Sequence, residues 1–128
     1  MTIVSRLHAA FTLIELVVVM AIVSMLVALA APRYFHSVER SKETVLRQDL
    51  TVMRDAIDKF YSDSGKYPEA LDDLVTKRYL RKIPPDPITG RADTWQTLPP
   101  VESAKGAVYN VRSGAEGTAL DGTTYSEW

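Results

Sequence analysis

The chain has no cysteine among its 128 residues. A disulfide framework, a thiol nucleophile, a haem attachment and a cysteine-ligated zinc are all excluded. If the folded part is exported, it must hold together without a disulfide. A charge imbalance is missing as well. Fifteen Lys and Arg against sixteen Asp and Glu leave a net charge of −1, so composition gives no reason to expect nucleic acid or an acidic substrate. No phosphate-binding glycine loop, nucleophile elbow or zinc signature occurs, and His8 and His36 fit no metal-ligand spacing. No catalytic constellation emerges, so the sequence does not read as an enzyme. The most informative absence is local: between Glu15 and Arg33 there is no charged residue at all.

That uncharged stretch belongs to an apolar run from Phe11 to Ala31, 21 residues in which only Thr12, Glu15 and Ser24 are clearly polar. As a helix it is long enough to cross a hydrocarbon core of about 30 Å. Three readings fit it. One is an ordinary single-pass anchor. The second is a secretory signal peptide cut after the small-x-small motif Ala28-Leu29-Ala30, although the run is long for a signal and carries a carboxylate near its start. The third is a leader, residues 1–10, removed by a cut just before the run, so that the apolar helix stays on the mature protein. Glu15 favours the third. A carboxylate at the centre of a spanning helix costs roughly 2.5–3.5 kcal/mol on insertion scales, and a cut between Ala10 and Phe11 would create an amine to meet it. Residues four apart share a helix face, so Glu15 is within range of its own Phe11 amine or that of a neighbour.

The string Ala10-Phe11-Thr12-Leu13-Ile14-Glu15, followed by Leu16-Val17-Val18-Val19, resembles the processing site of type IV pilins and type II secretion pseudopilins. The resemblance implies a prepilin peptidase that cuts between Ala10 and Phe11 and methylates the new Phe11 amine. It also implies an assembly role for Phe11, for Glu15 as the fifth residue after the cut, and for Pro32 at the twenty-second. The family usually has glycine before the cut. Ala10 stands there instead, which implies slower processing.

Beyond the run, Pro32 removes a helix hydrogen bond and predicts a kink or local unwinding. The helical pattern resumes with Leu46, Leu50, Met53, Ile57 and Phe60 on one apolar stripe. Opposite it, Glu43 with Arg47, Arg54 with Asp58, and Asp55 with Lys59 read as i, i+4 pairs on a solvated face. Gly65 caps the helix, with Pro68 just beyond. From Phe11 the element would be roughly 75–80 Å long at 1.5 Å per residue. Residues 65–128 form a head: a short helix over Glu69 to Tyr79, a loop from Ile83 to Gly90 with three prolines, strands at Trp95 to Leu98 and Ala107 to Val111, and a loop-rich tail. A head of this size has a thin core alone, so the amphipathic half of the long helix must supply one wall. Asp72 and Asp73 read as surface charges.

Phe60-Tyr61-x-Asp63-x-Gly65-x-Tyr67-Pro68, then Leu71-x-x-Leu74-Val75, Tyr79-Leu80 and Pro84-x-Asp86-Pro87, together resemble the major pseudopilins of type II secretion. The implied fold is α+β and type IV pilin-like: a long N-terminal helix, apolar then amphipathic, packed on a small head of a short helix and antiparallel strands. The implied organisation is a leader at 1–10, a transmembrane and filament-core helix at 11–31, its amphipathic continuation at 32–64 and a periplasmic head at 65–128. The implied function is the major subunit of a pseudopilus that grows from the inner membrane to export folded proteins. Its partners would be copies of itself, minor pseudopilins, the prepilin peptidase and an inner-membrane assembly platform. Only Arg6 precedes the span, while Arg33, Arg40 and Lys42 follow it, so the placement of the head in the periplasm rests on the resemblance rather than on charge. A type IV pilin of a surface fibre and a membrane-tethered binding module that never polymerises remain alternatives. The resemblance further implies calcium in the C-terminal loop through Glu116 and Asp121. Read by itself, Asp121-Gly122 is a turn.

Overall fold

A computed structural model of the chain describes residues 11–128; the leader expected at 1–10, with Ala10 at its end, lies outside them. The chain divides into two compact units, the first ending at Val38 and the second Glu39–Trp128. Helix α1, Leu13–Ser64, contributes to both and continues through Pro32. Every residue from 11 to 30 is exposed, and with no polar face to present, this first stretch is apolar all round. It is the one described helix long and apolar enough to cross a membrane.

In the second unit the predicted stripe becomes the core. Leu46, Leu50, Met53 and Ile57 of α1 are buried, with Ala56 beside them and Phe60 packed at the margin. Against them lie Leu74, Trp95, Val108, Val111, Ala115, Ala119 and Tyr125. The helix ends where the sequence said it should: Gly65 follows Ser64 with φ +74°, and its N–H donates to the Tyr61 carbonyl at 2.8 Å, the left-handed cap that glycine adopts at no Cβ cost.

Helix α2, Leu71–Thr76, is shorter than its expected range. At its start Glu69 N–H is taken by the Asp73 carboxylate at 2.9 Å. At its end Arg78 turns into the left-handed region at φ 65°, and the N–H groups of Tyr79 and Leu80 both return to the Leu74 carbonyl. The two strands, β1 (Gln96–Leu98) and β2 (Asn110–Arg112), pair antiparallel with Thr97 opposite Val111. The second strand begins later than its alternating pattern suggests, because the N–H groups of Ala107 and Val108 are claimed by the Pro68 carbonyl. The α+β, pilin-like arrangement is the expected one.

The proline loop is fixed by a buried acid. Asp86 is fully buried; its carboxylate accepts the N–H groups of Ile88 at 2.8 Å and Thr89 at 3.4 Å, and the Ser113 hydroxyl. Trp95 Nε1 donates to the Pro84 carbonyl at 2.7 Å.

Candidate functional site

The first site is the start of α1. Thr12 and Glu15 face each other across one turn: Glu15 N–H donates to Thr12 Oγ1 at 3.2 Å, and Thr12 N–H donates to Glu15 Oε2 at 3.4 Å. This is a reciprocal capping box, which satisfies two otherwise orphaned helix donors. Its signal in the sequence is Thr12-x-x-Glu15 immediately before an apolar run. The carboxylate therefore has a local use before any partner arrives. Around it Phe11 is 89 % exposed, and Leu13, Ile14, Val18 and Val19 are exposed too. An apolar helix that buries nothing in its own fold must bury itself in lipid or in other helices. Pro32, the third expected assembly residue, is exposed inside α1.

The second site is where the C-terminal segment meets α1, within the second unit. Here three of the charges read as a solvated face, Glu43, Arg47 and Arg54, have partners in the C-terminal half. Glu43 Oε1 accepts the Leu120 N–H at 2.8 Å and the Tyr125 hydroxyl at 2.9 Å. Arg47 donates to Asp121 Oδ2 at 3.3 Å, and its guanidinium carbon lies 3.9 Å over the Trp128 ring. Arg54 donates from Nε to Asn110 Oδ1 at 2.9 Å, and from Nη2 to the carbonyl oxygens of Val111 and Trp128. Partial burial, then the charge of Arg112, lowers the Arg54 pKa from its ordinary value, but a guanidinium stays cationic in proteins. Burial, followed by the hydrogen bond to Glu43, pushes the Tyr125 hydroxyl up to about 12, so it remains a donor at neutral pH. Periodicity could not find these pairs, because every partner lies more than 50 residues away.

The residues named for calcium do not fit the ion. Calcium takes six to eight oxygens. Glu116 is exposed. Asp121 Oδ1 already accepts the Thr123 N–H at 3.0 Å and hydroxyl at 2.6 Å, while Oδ2 faces Arg47. No group of three or more His, Cys, Asp or Glu among the described residues is arranged to hold a metal. The turn at Asp121-Gly122 closes instead by backbone bonds, Gly122 N–H to Ala119 and Ala119 N–H to Thr123.

Known proteins supply the context for this geometry. Residues 5–31 match the prokaryotic N-terminal methylation motif, which takes in Ala10, Phe11 and Glu15. The chain is 29 % identical to type II secretion system core protein G of Pseudomonas aeruginosa, over 96 % of each chain. It is 26 % identical to the core protein G of Vibrio cholerae, over 91 % of this chain and 90 % of that one. It also resembles the fimbrial protein EcpC of Eikenella corrodens, 28 % identical over 92 % of this chain and 80 % of the relative. No solved structure gives a significant match. The resemblance read from the leader and the head motifs is borne out.

Proposed function

We infer that this chain, a prepilin-like protein of the kind represented by type II secretion core protein G, is the major structural subunit of a pseudopilus. The observation that carries the reading is the pairing of a methylation motif with an apolar helix exposed along its whole first stretch, on a chain similar to core protein G from end to end. On this reading the precursor sits in the inner membrane by a single span, head in the periplasm. Prepilin peptidase cuts between Ala10 and Phe11 and methylates the new amine, and an assembly platform lifts subunits out of the bilayer. Residues 11–31 then exchange lipid for neighbouring helices. Lipid tails are as apolar as these side chains, so that exchange has no hydrophobic driving force and the filament must rely on close packing in a fixed axial register. A charged pair buried in such a core is weak glue but a strong register mark, because a misaligned subunit leaves an unpaired charge. Glu15 opposite a neighbour's Phe11 amine would supply that mark. The protein's task is structural, with itself, minor pseudopilins, the peptidase and the platform as partners.

The intact mass of the protein purified from its own membranes tests the processing step. A mass beginning at N-methylated Phe11 supports it; one beginning at Met1 or near Ala31 refutes it. The likeness to a fimbrial protein favours a second reading, a surface pilus. Deleting the gene separates the two: lost exoprotein secretion with intact twitching supports the pseudopilus, and the reverse supports the pilus.

A further inference from the structure

The segment from Ser113 to Trp128 is largely loop, yet nothing covalent ties it down, since the chain has no cysteine. A divalent ion would be the other general means, but the acids present do not fit one. The structure instead puts a cation of its own there. The Arg47 guanidinium meets the Asp121 carboxylate at 3.3 Å and lies 3.9 Å over the Trp128 ring, so one group neutralises the acid of the turn and stacks on the indole at the segment's far end. A planar guanidinium does both at once; a hydrated metal ion would use the carboxylate alone.

We propose that Arg47 is the resident cation of the C-terminal loop, and that the head folds and keeps this loop closed without a metal ion. Its neighbours on α1 complete the fastening. Glu43, one turn before, takes the Leu120 N–H and the Tyr125 hydroxyl. Arg54, two turns after, donates to the Trp128 carbonyl. Inside the loop Thr123 links the Asp121 turn to Trp128: its N–H and hydroxyl donate to Asp121, and its hydroxyl oxygen accepts Trp128 Nε1–H at 2.6 Å. Tyr125 and Trp128 meet edge to face at 5.2 Å. Both oxygens of Asp121, the acid at the centre of the turn, already have side-chain or backbone partners. This goes beyond the filament reading and holds whether or not the chain polymerises.

The test uses the full chain in detergent micelles, melted with excess EGTA and again with millimolar calcium chloride, alongside limited proteolysis read by mass spectrometry. Wild type should melt at the same temperature in both and be cut in the loop at the same slow rate. Arg47→Gln should lower the Tm by about 4 °C and speed cleavage between Ser113 and Trp128 roughly five-fold. Added to Asp121→Asn it should cost less than it does alone, because both remove one interaction. A wild-type Tm that falls in EGTA or climbs with calcium by several degrees would overturn the proposal. So would an Arg47→Gln protein that melts and is cut like wild type, since Arg47 would then fasten nothing.

Discussion

Ser113 donates its hydroxyl proton to the fully buried Asp86 carboxylate at 2.5 Å, joining the proline loop to the start of the C-terminal segment. The same serine oxygen accepts the Ala115 N–H at 3.0 Å, so one hydroxyl is used in both senses. Removing Asp86 leaves the buried Ser113 hydroxyl and the part-buried Ile88 N–H without that partner. Asp86→Ala should therefore destabilise by about 3 kcal/mol, and Ser113→Ala by about 1–2 kcal/mol. Urea unfolding of the full chain in detergent measures both. Equal losses would show that the carboxylate's backbone bonds contribute nothing.

Asp49 lies within the field of Asp86. Burial first, and the Asp86 charge second, hold the Asp49 pKa above its ordinary value. A folded pKa above the unfolded one means that the native state binds the extra proton. The associated stability is fully present below about pH 3.9 and is lost as pH rises through the folded value. Asp49→Asn should then melt higher than wild type at neutral pH, with the gap closing toward acid. Melting curves across that range decide it; a gap that widens toward acid has the wrong sign.

Tyr125 carries a similar dependence at the alkaline end. Its hydroxyl, raised to about 12 by burial and then by Glu43, must stay protonated to donate to Glu43 at 2.9 Å. Its share of stability is intact below about pH 10 and lost as pH climbs through the raised folded value. Tyr125→Phe should cost about 1 kcal/mol at neutral pH and remove part of the alkaline fall. Guanidinium unfolding at several alkaline pH values would show whether the two curves converge.

Two glycines should differ for opposite reasons. At Gly114 a Cβ would sit 1.9 Å from the Thr94 carbonyl oxygen, so backbone must move, whereas at Gly65 (φ +74°) it would meet nothing within 4 Å. Gly114→Ala should cost about 2–4 kcal/mol and Gly65→Ala about 1 kcal/mol, the left-handed penalty alone. Comparable melting temperatures for the two variants would contradict this.

Glu15 has two uses that one pair of substitutions separates. Glutamine still closes a capping box with Thr12, since an amide oxygen serves at that position, but it carries no charge to pair with an amine. If the charge sets filament register, Glu15→Gln should fail to assemble as completely as Glu15→Ala, while head melting stays unchanged. If the cap is what matters, Glu15→Gln assembles and Thr12→Ala, losing about 1 kcal/mol at the helix start, does not. Crosslinking of subunits in membranes reads all three.

Local patterns in the sequence determined a great deal. The apolar run, the lone acid within it, the core stripe from Leu46 to Ile57 and the stop at Gly65 are features of period and composition, and a helix expresses them wherever it is placed. The short strands were legible only as segments, since Pro68 takes the N–H groups of Ala107 and Val108 and delays the second. The partners of Glu43, Arg47 and Arg54 were beyond reach. Each lies at the far end of a path through loops that have no period, and a charge on a helix surface looks the same whether it meets water or Trp128. Tertiary structure decided that these charges fasten the C-terminal segment, because only folding brings residues 74 positions apart, such as Arg47 and Asp121, to within 3.3 Å.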